Sequence, residues 1–185
     1  MLEQLTQNTI SDVITIETSG FTDHRGGFIR LFCENKLKQY IGDRHIVQIN
    51  HSKTNCVGAI RGMHFQHPPY AEMKLIRCIS GRVLDVVIDL RAGSKTFLKW
   101  HAEELSKNNG RMLIVPEGFA HGFQILEEES ELLYLHTQFY TPTSEDGLRY
   151  NDPLINITWP LPVTDLSERD CNHKLLSAEF TGIHL

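Results

Sequence analysis

The densest grouping of side chains able to move protons or hold charge is Arg61-Gly62-Met63-His64-Phe65-Gln66-His67, with Lys74 beyond the Pro68-Pro69 turn that follows. Histidine changes charge near neutral pH, and a guanidinium and an ammonium beside it supply fixed positive charge. A lone histidine is most often structural. A His, an Arg and a Lys flanking one turn suit a site that removes a proton and stabilises the anion left behind. The turn is expected to act as a hairpin that points His64 and Lys74 into one cavity. A second group, Pro116-Glu117-Gly118-Phe119-Ala120-His121-Gly122-Phe123, sets another histidine at the start of a strand, where glycines permit close backbone approach. In a third, Tyr134-Leu135-His136-Thr137-Gln138-Phe139-Tyr140, the two-residue period of a strand places Tyr134, His136, Gln138 and Tyr140 on one face. That face reads either as the wall of a wet cavity or as an ordinary exposed sheet surface.

The elements that must hold these groups are short strands. Apolar or alternating runs at 13–17, 27–32, 45–50, 74–79, 82–90, 96–105, 111–115 and 132–140 are separated by Gly and Pro signals, the pattern of an all-β antiparallel sandwich or barrel. The segments 79–82 and 115–118 are expected to turn strands back antiparallel. Only 35–41 and the stretch after Ser167 read as helical, the latter with Ser167 as a capping residue. The 185 residues fit a single domain, 1–185, with the first ten residues and the C-terminal tail as edge or exchange segments. Hydrophobic residues at 41% and charged residues at 22% are ordinary globular usage, which excludes a disordered chain. A net charge of −5 with scattered Lys and Arg excludes a nucleic-acid footprint but leaves room for a small anionic ligand. The apolar run 83–90 is broken by Asp85 and Asp89 and falls short of the roughly 20 residues of a membrane helix. The N-terminus has no basic and apolar signal pattern, so a cytoplasmic protein without membrane contact is expected. The four cysteines form no C-x-x-C pair and read as idle thiols.

These three groups lie in one chain with Phe21-Thr22-Asp23-His24-Arg25-Gly26, Gln48-Ile49-Asn50, Asp89-Leu90-Arg91, Tyr150-Asn151-Asp152-Pro153, Trp159-Pro160 and Leu166-Ser167-Glu168-Arg169-Asp170. Over about residues 13–175, in this order, they resemble the dTDP-4-dehydrorhamnose 3,5-epimerase family. The resemblance implies a cupin-like jelly roll or β-barrel with short peripheral helices, a homodimer, and catalysis without metal or organic cofactor. It implies a nucleotide-diphosphate 4-keto-6-deoxyhexose as substrate, in deoxysugar biosynthesis for surface polysaccharide. Hydrogen on carbon beside a ketone is acidic because the carbanion delocalises into an enolate, so inversion needs a base, an oxyanion stabiliser and an acid on the opposite face. By resemblance His64 is the base, Asp170 orients it, Lys74 is the cation near the C4 oxygen, and Tyr134 is the acid. Arg61 and His121 match further substrate contacts. Arg25, Gln48, Asn50, Glu145 and Arg169 match nucleotide-sugar contacts, and Tyr140 matches the aromatic that stacks on the base.

Two departures from the family pattern bear on the nucleotide. Arg169 stands where the family has Lys, which keeps charge but not geometry. Arg30 stands where a Glu is common. A carboxylate accepts from the N3–H of thymine, whereas N3 of cytosine is itself an acceptor, so Arg30 raises CDP beside dTDP; the plain alternative is that Arg30 faces solvent or pairs with Glu34. Inversion of C3 is expected, with C5 left open. Two other readings compete. A metal-dependent cupin would use His64, His67 and His121, but their spacing is not His-x-His and Lys74 would repel a dication. A sugar-nucleotide-binding barrel without turnover would not need His64, Asp170 and Tyr134 together.

Overall fold

The computed structural model describes residues 2–5, 10 and 12–185. Among the described residues, thirteen strands and two short helices follow one another: β1 Leu2–Leu5, β2 Ile14–Thr18, β3 Phe21–Asp23, β4 Gly26–Phe28, α1 Glu34–Ile41, β5 Gln48–Thr54, β6 Ile60–Gln66, β7 Lys74–Ser80, β8 Arg82–Asp89, β9 Trp100–Ser106, β10 Arg111–Val115, β11 Phe119–Ile125, β12 Ser130–His136, β13 Glu145–Gly147 and α2 Glu168–Asn172. Two antiparallel sheets carry the fold. One has the order β1-β2-β10-β7-β12-β5 and the other β13-β6-β11-β8-β9, with the β3-β4 hairpin apart. From β5 to β8, and again from β9 to β13, each strand lies in the opposite sheet from the one before it. This is the all-β jelly roll the sequence led us to expect.

That alternation corrects three expectations. The turns at 79–82 and 115–118 carry the chain across from one sheet to the other and make no hairpin. The Pro68-Pro69 segment does the same, so His64 and Lys74 stand on facing sheets. The expected strand at 27–32 is instead the short β3-β4 hairpin, exposed throughout, and the runs at 96–105 and 132–140 are strands only over 100–106 and 130–136. The tightening at 96–99 has a local cause. The buried carboxylate of Asp89 accepts from Arg91, Ser94 and Thr96, folding 90–96 into a loop before β9 begins. Leu2–Leu5 is the edge strand of its sheet, while the C-terminal tail packs inward through Ile183, whose N–H donates to Leu90 O at 2.7 Å. Residues 1, 6–9 and 11 of the N-terminal segment lie outside the described residues.

Three apolar layers explain why many strands are hydrophobic on both faces. Between the sheets lie Ile76, Val83, Val87, Leu113, Val115, Phe119, Phe123 and Leu132, with Tyr134 packed against them. The outer face of the six-stranded sheet, with Leu75, Met112 and Leu135, is covered by Leu37 and Ile41 of α1. The outer face of the five-stranded sheet, with Met63, Val86 and Ile88, is covered by Ile155, Trp159 and Leu176 from the irregular C-terminal stretch. The interior layer is apolar at one end only. At the other end the inward positions are polar, and the sandwich is open.

Candidate active site

A cavity of about 860 Å³ occupies that open end. Its walls come from both sheets: Asn50, Ser52 and Thr54 on β5, Lys74 on β7 and Tyr134 and His136 on β12 face Arg61 and His64 on β6 and His121 and Phe123 on β11. Tyr140, Glu145 and the 165–170 segment complete the rim.

Arg61 and His64 should point to opposite faces of a regular strand, since faces alternate. They share the cavity because β6 bulges. His121 pairs with His64 but Phe123 pairs with Arg61, so β6 carries one more residue than β11 between these pairs. The bulge sits at Gly62, whose φ of +121° disfavours any side chain and whose added Cβ would lie 2.6 Å from Gly122 Cα. Facing glycines thus bring the two histidine-bearing strands together.

His64 is three-quarters covered and its Nε2–H donates to Asp170 Oδ1 at 2.7 Å. Arg169 Nη2 also approaches Nε2, at 3.1 Å, but one ring nitrogen cannot both donate and accept. The shorter, charge-assisted bond to the carboxylate decides the tautomer, which leaves the lone pair on Nδ1. Asp170 also accepts from the Gly62 backbone N–H at 3.0 Å. Burial opposes its ionisation, yet these hydrogen bonds prevail and bring its carboxyl down to about 2. Ser167 caps α2, its hydroxyl accepting from the Asp170 N–H, and so fixes the residue that holds His64.

On the facing wall the Tyr134 hydroxyl lies 2.8 Å from Ser52 Oγ. Burial, reinforced by the Asp85 charge, holds this phenol well above its ordinary value, so it stays protonated at any working pH. His121 stands beside it, ring centroids 6.3 Å apart, with Nε2 2.9 Å from Asp85 Oδ2. Asp85 is fully buried, and that burial raises its carboxyl despite the imidazole. Lys74 Nζ is 3.1 Å from Glu72 Oε1 and donates to the His64 carbonyl at 3.4 Å. Arg61 Nε donates to Thr54 Oγ1 at 2.8 Å. At the rim, the Tyr140 hydroxyl and the Arg169 guanidinium both donate to Glu145 Oε2, at 2.7 and 2.9 Å.

The cavity therefore gathers His64, Asp170, Lys74, Tyr134, Arg61, His121, Asn50, Tyr140, Glu145 and Arg169. Three candidates fall outside its lining. Gln48 lies just beyond it, linked to Asn50 at 3.2 Å and to the Tyr140 N–H at 3.1 Å. Arg25 pairs with Asp23 in the exposed hairpin, and Arg30 is exposed on the segment after it. Arg30 is not paired with Glu34, whose carboxylate meets His45. Arg30 therefore has no place in this cavity within one chain. Of the strand face expected at 134–140, Gln138 is also absent from the lining, because β12 ends at His136. The three-histidine metal set is not assembled either: His67 is exposed and bonded to Asp146 at 3.0 Å. His64, Asp170 and His173 bring ligand-type atoms within 4.8 Å, but the His64–Asp170 hydrogen bond and the Arg169 cation already fill that space. Sequence reasoning missed Ser52 and Glu72. The Glu72-x-Lys74 spacing, which places alternate residues on one side, was the available signal.

The dTDP-4-dehydrorhamnose 3,5-epimerase family model matches residues 7–178. A dTDP-4-dehydrorhamnose 3,5-epimerase from Shigella flexneri is 42% identical over 173 residues, covering 92% of this chain and 95% of its own length. The crystal structure of a dTDP-6-deoxy-D-glucose-3,5-epimerase from Legionella pneumophila Philadelphia 1, in complex with dTDP-4-keto-L-rhamnose, superposes with a TM-score of 0.92 at 33% identity and covers 100% of both chains. A 3'-monoepimerase from Streptomyces bikiniensis, in complex with dTDP-quinovose, superposes with a TM-score of 0.85 at 29% identity, covering 92% of this chain and 87% of its own.

Proposed function

The chain belongs to the dTDP-4-dehydrorhamnose 3,5-epimerase family, and we propose that its cavity inverts C3 of a dTDP-linked 4-keto-6-deoxyhexose by proton transfer between its two walls. The observation that carries this reading is the placement of an Asp-held histidine and a buried, protonated tyrosine on facing sheets. His64 Nδ1 takes the proton from C3. The C–H electron pair becomes the C3–C4 double bond, and the carbonyl pair moves to the C4 oxygen, where Lys74 stabilises the charge. Tyr134 then delivers a proton to C3 from the opposite face, and the enolate collapses back to the ketone. His64 loses its proton and Tyr134 regains one before the next turnover. Asp170 stabilises the imidazolium formed in the first step.

The remaining lining divides by charge. Arg61 suits the diphosphate, with His121 and its Asp85 partner beside the sugar. Tyr140 offers a stacking surface for the base, held upright by Glu145 and Arg169. A cytoplasmic homodimer serving surface-polysaccharide synthesis completes the reading. Phe21 and Phe28 are 79% and 68% exposed on the hairpin that carries Arg25, an apolar patch suited to a second copy. A dimer that sets this hairpin against its partner's cavity would give Arg25 and Arg30 the substrate contact they lack in one chain.

The test is incubation with dTDP- and CDP-4-keto-6-deoxyglucose in deuterated water, with label read at C3 and C5 by mass spectrometry. Label at C3 from the dTDP sugar is the expected result, and additional label at C5 would make the enzyme a 3,5-epimerase. Exchange at neither carbon would contradict the reading, and preferential exchange of the CDP sugar would contradict its nucleotide.

A further inference from the structure

The cavity holds a buried carboxylate that the proton-transfer scheme does not use. Glu72 and Lys74 are 8% and 11% exposed at their side chains, and Glu72 spends one oxygen on Lys74 Nζ and the other on His136 Nδ1, at 3.1 and 2.7 Å. A carboxylate beside the oxyanion-stabilising cation is costly in two ways. It must be desolvated, and it weakens the field of Lys74 at the enolate oxygen. Its presence calls for a compensating gain.

The hydrogen-bond directions around Glu72 are fixed from outside. The Tyr140 backbone N–H can only donate, so it meets the carbonyl oxygen of Gln48, at 3.1 Å. The Gln48 amide nitrogen must then be the group that donates to Asn50 Oδ1 at 3.2 Å. The Asn50 amide nitrogen in turn faces His136 Nε2 at 3.3 Å, which makes Nε2 an acceptor and puts the ring hydrogen on Nδ1. His136 therefore donates to Glu72 Oε2. Every group from the Tyr140 backbone to Lys74 has one allowed orientation, and a long, flexible lysine stem ends in a fixed ammonium.

We propose that Glu72, braced by His136, is a positioning residue that fixes the Lys74 ammonium against the oxygen on which negative charge develops, an inference that rests on the oxyanion role given to Lys74 above. Preorganised charge costs no reorganisation at the moment of reaction, which is the gain that offsets the weakened field. The ionised state is the one the site favours. Burial alone would raise the Glu72 carboxyl, but the His136 hydrogen bond and the Lys74 charge outweigh it and hold it below the usual carboxylate value. The other titratable groups lining this cavity are His64, Arg61, Asp170, Tyr134 and His121, together with His51, Tyr140, Glu145, Asp165 and Arg169, and Asp85 stands behind His121 within electrostatic reach of Lys74. Among these the carboxylate in contact with Lys74 is Glu72.

The test compares Glu72→Gln, His136→Phe and Lys74→Met with wild type, each checked for folding by circular dichroism and for dTDP binding by calorimetry. Glu72→Gln should lower kcat at least about tenfold with KM changed by less than about threefold, the split expected when transition-state stabilisation is lost without a substrate contact. Glu72→Asp should recover part of the loss, and His136→Phe should shift kcat in the same direction by less. A folded Glu72→Gln enzyme with wild-type kcat, beside an inactive Lys74→Met, would overturn this inference alone. Wild-type turnover in Lys74→Met would overturn the role of Lys74 and this inference with it. Should Glu72→Gln fail to fold, an unchanged kcat in His136→Phe would overturn the inference by itself.

Discussion

Asp170 is nearly buried and ionised far below the usual carboxylate range, so its charge is constant wherever the enzyme works. It fixes the His64 tautomer and, in the proposed mechanism, supplies the counter-charge for the imidazolium. Asp170→Asn keeps the size but takes the charge away and lets the amide present a donor where an acceptor is needed. The variant should lose about 10²–10⁴-fold in kcat, with dTDP affinity measured by calorimetry little changed, because the proposed nucleotide subsite lies at Tyr140. Near-wild-type turnover would show that His64 needs no such partner. Residue chemistry was the part most legible in the sequence. His64, Lys74 and Tyr134 stood out by type and by company, whereas Glu72 and Ser52 did not, because an acid and a hydroxyl acquire meaning only once their neighbours across the sheet are known. Arg25 could be matched to a motif and Arg30 read as a departure from one, but neither could be placed, since a single chain leaves the hairpin that carries Arg25 and the segment after it, with Arg30, exposed.

At the scale of elements, two devices aim these side chains. The bulge at Gly62 turns Arg61 and His64 into the same cavity, and the capped start of α2 holds Asp170 against it. Ser167→Ala removes the cap, which should lower stability by about 1 kcal/mol. Because α2 is a single short turn, the change should reach Asp170, so a drop of a few degrees in thermal midpoint should come with a fall in kcat. A fall in thermal midpoint with unchanged kcat would mean that α2 is positioned by something other than its cap. The cap was visible in the Ser167-Glu168-Arg169-Asp170 string. The bulge was not, because a two-residue alternation read along 60–66 separates Arg61 from His64, and only pairing with β11 reveals the extra residue. The Gly and Pro turns were recognisable as turns, but nothing local distinguishes a hairpin from a crossing between sheets.

For the whole molecule, charge sets both the acid limit and the direction of chemistry. The carboxyls of Asp89 and Asp170 are both brought down to about 2 by partners that burial alone would not supply. A depressed carboxyl stabilises the fold above its unfolded value of about 4 and ceases to do so as pH falls through the folded value. Thermal midpoints should therefore decline between about pH 4 and pH 2, and Asp89→Asn should flatten that decline. A midpoint as steep in the variant as in wild type would exclude Asp89 as a source. Asp85 works in the opposite sense, since burial raises its carboxyl and acid relieves the cost of its charge. The strand order also separates the proposed base from the proposed acid, with His64 on one sheet and Tyr134 on the other. Inversion at carbon requires that separation. The most direct test is solvent deuterium exchange at C3 of the dTDP-4-keto-6-deoxyhexose, followed by NMR for both label and configuration in wild type, His64→Asn and Tyr134→Phe. Proton transfer between the two walls predicts label with inversion in wild type, label with retained configuration in Tyr134→Phe, and neither in His64→Asn. Wild-type exchange in folded His64→Asn enzyme would contradict it.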